Sequence, residues 1–249
     1  MEANIISLVQ KVVRKFRVIE SVDEKLINLF KQKKGIEIGG PSPIFSSELP
    51  IYPIIESLDG CNFSNNTVWE GSILEGENYS FFSDKKGFQY IAEASDLNKV
   101  DSNKYDFLLA SHCLEHCANS LKTIEEWLRV IKPGGIMLLI LPKKENTFDH
   151  KRQITSFEHL LADYANDVDE TDLTHLEEII AYHDLVLDIP AGDNESFKCR
   201  SLNNYQNRCL HHHVYDFELL NQIFDYTNTK VIYQEYKDPY HQIIAGIKS

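Results

Sequence analysis

Ten histidines occur in 249 residues, and most of them stand beside an acid or another histidine. His112 and His116 bracket Glu115 in "SHCLEH", Asp149 precedes His150, His183 precedes Asp184, and His211, His212 and His213 are consecutive. An imidazole with its ordinary pKa near ~6.5 can take or give a proton at neutral pH. Imidazole and carboxylate together also suit manganese, iron or zinc better than magnesium. Two chemistries follow: a general base that deprotonates an acceptor, or a divalent metal that lowers the acceptor's pKa. His150, His211 and His213 are the candidate catalytic residues. His116, Asp149, His150, His211 and His213 form the candidate ligand set for manganese, iron or zinc. An extended backbone would put His211 and His213 on one side and His212 on the other. His159 and His175 fall in helical patterns and read as surface or packing residues.

A second feature is "GIEIGGPSPIF" at 35–45, a short apolar alternation running into two glycines and two prolines. Such a junction lets a ligand approach backbone N–H groups at the end of a strand. The G-x-G-x-x-G fingerprint of dinucleotide sites is absent, which argues against a nicotinamide cofactor. Tyr233 and Lys237 have the spacing of the reductase Tyr-Lys pair, but they lie in "VIYQEYK", which reads as a late strand.

The elements that must carry these residues follow from periodicity. Ile5, Leu8, Val9, Val12, Val13 and Phe16 predict a helix over 4–16, decorated by Lys11, Arg14 and Lys15. Ser21 and Glu24 form a capping box opening a second helix through Phe30. Strands are expected at 35–38, within 57–64 and 88–97, and in "YDFLLASHCLEH" at 105–116, whose apolar run suits a buried parallel strand. Ser120 is the expected cap of a helix whose Leu121, Ile124, Trp127, Leu128 and Ile131 share one face. "KPGG" at 132–135 is expected to stop it, and "IMLLILP" at 136–142 follows as a strand. This alternation predicts a parallel α/β sheet with its functional loops at the strand carboxyl ends. Residues 143–210 show helical patterns at 158–166 and 172–185 but no convincing strand, and read as a helical lid or insertion. The chain then returns to a helix and two strands.

The net charge of -13 argues against a nucleic-acid partner, since phosphate backbones demand a positive surface. No stretch reaches the ~20 apolar residues of a membrane span. Five cysteines at unpatterned spacings read as reduced thiols, and the expected location is cytoplasmic. Lys151, Arg152, Arg200 and Arg208, close to the proposed mouth in so acidic a chain, point to an anionic acceptor such as a phosphorylated or nucleotide-linked small molecule.

Glu37 at a strand end, the glycine turn, Asp59 about twenty positions on, then "AEASDL", "LEH" and "KPGG" together resemble the class I S-adenosylmethionine-dependent methyltransferases. The resemblance covers about 35–142 and resumes at 213–248. It implies a single Rossmann-like domain with a seven-strand sheet, the last strand antiparallel: N-terminal helices at 1–34, a cofactor-binding core at 35–142, the helical insertion at 143–210 and a final helix and hairpin at 211–249. Carried over by position, Glu37 would orient the methionine ammonium, Gly39 and Gly40 would admit the cofactor, and Asp59 would accept from the ribose hydroxyls. Glu93 and Ala94 would meet the adenine, and Ser111 and His112 the methionine end. With "TFDHKR" and "RCLHHHVYD" included, the chain is similar to bacterial methyltransferases of capsular and surface-polysaccharide biosynthesis, among them those of O-methyl phosphoramidate pathways. That likeness implies methyl transfer to an oxygen, or a nitrogen, of a small polar precursor. Two other readings remain open: a metal-dependent hydrolase on a similar frame, and a non-catalytic module of the same fold.

Overall fold

The computed structural model describes residues 22–249. The expected helix over 4–16 and the Ser21 half of the capping box lie outside them. A short helix α1 (Val22–Asn28) leads to β1 (Lys34–Ile38) and, after a loop, β2 (Ser57–Asn62). A small hairpin of β3 (Asn66–Thr67) and β4 (Gly71–Ser72) precedes the paired strands β5 (Gly76–Phe82) and β6 (Lys85–Ile91). The core continues with β7 (Tyr105–Ser111), α2 (Ser120–Val130) and β8 (Ile131–Pro142). Four helices follow without an intervening strand: α3 (Phe157–Ala165), α4 (Leu176–Tyr182), α5 (Asn194–Leu202) and α6 (Asn204–Asn207). The chain closes with α7 (Phe217–Tyr226), β9 (Thr229–Lys237) and β10 (His241–Lys248).

The main sheet has eight strands in the order β5-β6-β2-β1-β7-β8-β10-β9, not the seven expected. The extra strand is β5, an antiparallel partner of β6 across a turn in which Ser83 takes a positive φ of 50°. Strands β6, β2, β1, β7 and β8 are mutually parallel, and β10 is reversed against β8 and β9. Both faces are covered, as a parallel sheet requires. Met137, Leu139 and Leu141 of β8 pack with Trp127 of α2 and with Leu220 and Phe224 of α7. The alternate residues Ile136, Leu138 and Ile140 face Phe45, Leu49 and Ile51 from the loop after β1. A smaller cluster of Ile179, Ala191, Phe197 and Leu210 holds the inserted helices together.

Two local expectations are corrected. Asn119, not Ser120, caps α2: its side chain accepts from the Lys122 N–H at 3.1 Å, while Ser120 turns its hydroxyl to Tyr215 and His213. The helix ends at Val130, before "KPGG", and β8 already begins at Ile131. Tyr233 and Lys237 both lie on β9, as the strand reading required. No described helix is long and apolar enough to cross a membrane.

Candidate active site

The carboxyl ends of β1, β2, β6 and β7 open onto a cavity of about 330 Å³, within the range of small-molecule sites. Its wall includes Gly39, Pro41 and Ser42 from the loop after β1, and Asn62 and Phe63 after β2. Glu93 and Ala94 after β6, and Ser111, His112, Cys113 and His116 after β7, complete it on the core side. Trp69 and Glu70 reach it from the β3–β4 hairpin, and Arg208 from the end of the inserted helices.

The glycine loop is held by a buried carboxylate. Glu37, fully buried, accepts the Ser42 N–H at 3.0 Å and the hydroxyls of Tyr52 and Tyr79 at 2.5 and 2.7 Å. Burial pushes its pKa up, and these donors pull it back. Gly39 takes φ +77°, open chiefly to glycine, and a Cβ on Gly40 would fall 2.2 Å from the Glu37 carboxyl carbon. Glu37 and Gly40 therefore brace the loop from behind while Gly39 faces the cavity. Glu37 itself does not line the cavity, so the expected role toward the methionine ammonium, through water or directly, is not met by direct contact.

Asp59 is also displaced from its expected role. It lies three residues before the end of β2, with its carboxylate bound to the Phe88 N–H at 2.9 Å and the Tyr105 hydroxyl at 2.5 Å, and with Lys104 at 3.4 Å. Asn62 occupies the strand end instead and donates to the Gly40 carbonyl at 3.1 Å. Glu93 and Ala94 stand at the wall. Glu93 is ion-paired to Arg208 at 2.8 Å, and the Ala94 carbonyl accepts from Trp127 Nε1 at 3.0 Å. Ser111 and His112 line the cavity too; His112 has φ +50° and meets His241 at 2.9 Å.

The five-residue metal set does not assemble. His116 and His211 do meet, with ring centroids 4.6 Å apart, and Glu115 joins them so that one donor atom from each lies within 4.8 Å of the others. Asp149 is the brace of His211, at 2.5 Å from its Nδ1 and 3.1 Å from Arg152 Nη1. Burial opposes ionisation of Asp149, but His211 and Arg152 hold its pKa down at about 2. Burial likewise opposes a charge on His211, yet the Asp149 carboxylate holds its pKa above the ordinary value. His150 sits elsewhere: it pairs with Asp184 at 2.9 Å, beside Lys151 at 3.0 Å, and does not line the cavity. His213 belongs to a separate group with His159, Asp163 and His175. The His211–His213 run thus does not present its odd members to one side. Arg152, buried beneath the run, takes the carbonyls of His211 and His212 at 2.7 and 3.1 Å and directs successive side chains to different neighbours.

The sequence reading placed Arg152 near the mouth, but it is a buried structural cation, and Arg200 is paired to Asp188 at 2.8 Å. Of the four basic residues, Arg208 alone lines the cavity. Glu115, which the sequence reading did not include among the candidate site residues, stands with His116 and His211. It is buried, its carboxylate oxygens accept no hydrogen bond, and His112 Nδ1 stands 3.4 Å away. His116 Nδ1 lies 3.0 Å from the Leu210 carbonyl. A carbonyl can only accept, so Nδ1 carries the proton and Nε2 is the basic nitrogen. Burial and the neighbouring His211 lower the His116 pKa to about 4, leaving it neutral near pH 7.

Comparison with known proteins bears on the fold and on one stretch of the sequence. The chain is similar to the PH0226 protein of Pyrococcus horikoshii, with a TM-score of 0.51 and 10% identity over 100% of this chain and 91% of that one. It also aligns with a SAM-dependent methyltransferase from Methanosarcina mazei (TM-score 0.49, 15% identity, 90% of this chain and 96% of that one). A hybrid PKS-NRPs synthetase of Penicillium oxalicum, opdA, is 30% identical over 128 residues, 49% of this chain, and the chain spans 3% of that protein's length. Residues 76–139 match the family model described as a methyltransferase domain. They run from β5 through most of β8 and contain the loop after β7 that lines the cavity. Residues 76–139 thus carry the likeness to a methyltransferase domain, and the chain as a whole shares its fold with the PH0226 protein.

Proposed function

We propose that the cavity holds S-adenosylmethionine and that the chain transfers its methyl group to an oxygen, or less readily a nitrogen, of a small polar acceptor. The observation that carries this reading is the single cavity wall shared by the Gly39 turn, the three strand ends and His116. The wall has groups suited to each part of the cofactor. The Gly39 turn and the Ser111–His112 loop suit the methionine end, Asn62 supplies an amide at the ribose position, and Glu93 and Ala94 suit the adenine. When bound, the cofactor supplies a methyl on a sulfonium whose departure leaves a neutral thioether.

The chain's own part is alignment and proton removal. His116 takes the acceptor proton at Nε2, since its Nδ1–H is committed to Leu210. Its low pKa keeps it unprotonated, at some cost in basicity. His211 stands beside the His116 ring, and the Asp149 carboxylate holds the His211 pKa above the ordinary value. The helices of 143–210 form the acceptor-side cover and contribute Arg208 to the wall. Assignment of the acceptor to surface-polysaccharide synthesis rests on the sequence resemblance.

Calorimetric titration of the purified chain with S-adenosylhomocysteine tests the proposal. Micromolar binding that is weakened by Asn62→Ala supports it. No binding overturns it.

A further inference from the structure

The second histidine group lies outside the cavity, and its residues come from three separate pieces of chain. His159 and Asp163 are four residues apart on α3 and so share a face. His175 immediately precedes α4, and His213 comes from the extended stretch before α7. His159 Nε2 lies 3.0 Å from His175 Nε2 and 3.3 Å from Asp163 Oδ2, and His213 Nε2 lies 3.0 Å from the same oxygen. One donor atom from each of the four lies within 4.8 Å of all the others. Ligands at ~2.0–2.1 Å around a tetrahedral zinc stand roughly 3.3 Å apart, so the closest of these separations need relax by only a few tenths of an ångström.

The outer groups are arranged to match. His213 Nδ1 meets Ser120 Oγ at 3.1 Å, and that hydroxyl meets Tyr215 at 2.6 Å. His175 Nδ1 faces Glu178 at 3.7 Å. Both rings therefore turn Nε2 inward, the arrangement by which outer partners orient metal-bound histidines. His213 and Asp163 are buried. His159 and His175 border a surface cleft, with Thr155, Ser156 and Glu178 on its other walls, which gives an ion access.

We propose that His159, Asp163, His175 and His213 bind one divalent transition-metal ion, zinc by their chemistry, as a structural site. Three imidazoles disfavour magnesium and calcium, which take oxygen. Four protein ligands close the shell, the mark of a structural rather than a catalytic zinc. The ion ties α3 and the start of α4 to the extended segment that carries His211, two residues from His213. The site does not depend on the cavity's being a methyl-transfer site.

The test uses the full chain, stripped with chelator and titrated with zinc chloride. Metal content is read by mass spectrometry and melting temperature by circular dichroism, and cobalt(II) serves as a spectroscopic substitute. The expected result is one equivalent of zinc, a higher melting temperature with metal, and a tetrahedral cobalt absorption band. His159→Ala and His175→Ala, whose side chains border solvent, should lose the equivalent while the chain stays folded. Ser120→Ala should weaken binding by ~10-fold. Zinc that fails to bind the wild-type chain overturns the proposal. So does an equivalent that survives both histidine substitutions, or one that disappears in His116→Ala and thereby belongs to the cavity group.

Discussion

The two histidine groups use the same side chains for different ends. Around His116 a carbonyl fixes one ring nitrogen, a buried carboxylate accepts no hydrogen bond, and the second histidine carries an Asp149 brace. The arrangement is asymmetric and borders the cavity. Around Asp163 three imidazole nitrogens and one carboxylate oxygen converge, with hydroxyl and carboxylate partners behind two of the rings. Residue composition does not separate the groups; what each ring's other nitrogen meets does. A ring held by a single acceptor beside an open cavity is suited to a proton, while rings converging on one point are suited to an ion.

The sharpest way to break the contrast is at Asp149. Asp149→Asn leaves Arg152 and His211 without their buried counter-charge and should cost about 3 kcal/mol of stability in urea unfolding. Zinc stoichiometry at the other group should not change; if both are lost together, the groups are one unit. Next in size, His116→Ala should lower kcat by ~10²-fold, the low end for a positioned base, with little change in S-adenosylhomocysteine affinity. An equal loss of affinity would make His116 part of the cofactor wall only. A third pair of changes separates binding from transfer: Asn62→Ala should weaken S-adenosylhomocysteine by ~10-fold, roughly one lost hydrogen bond, and Asp59→Asn by less than ~2-fold. The reverse order would restore Asp59 to the ribose role.

The smallest effect concerns pH. The His116 pKa is lower in the folded chain than the ordinary value, so between about pH 6.5 and 4 the unfolded state binds the extra proton. Its contribution is intact above that window and is lost as pH falls through it. Unfolding free energies from urea titrations at pH 7.5 and 5.8 should differ more in the wild type than in His116→Gln, by about 1 kcal/mol. Equal pH slopes would show that the ring is not buried neutral.

Much of the frame was legible. The apolar runs of β7 and β8 and the amphipathic α2 needed only periodicity, and the strand-end loops then placed Gly39, Glu93, Ser111 and His112 on one wall. Strand β5 lies outside the expected strands although "NYSFFSDKKGFQYI" alternates around a Ser-Asp turn, which is the signature of a hairpin. Asp59 looked right by distance from the glycines. Its true position depends on where β2 ends, and a shift of three residues moves a side chain to the opposite face as well as along the strand. The grouping of His159 with His213 was beyond reach of spacing, since 54 residues separate them and only the packing of α3 against the last segment brings them together.

The chain has two tryptophans, and both touch the cavity's surroundings from opposite ends. Trp127 is buried in α2 and donates to the Ala94 carbonyl, while Trp69 is half exposed on the β3–β4 hairpin with its ring 5.4 Å from that of His116. Their emission should therefore differ in colour, blue from the dry indole and red from the wet one. A nucleoside arriving near Ala94 would perturb the first, and an acceptor arriving near His116 the second. On the proposed function, the two indoles form a two-channel optical readout of the order in which cofactor and acceptor arrive, without any label.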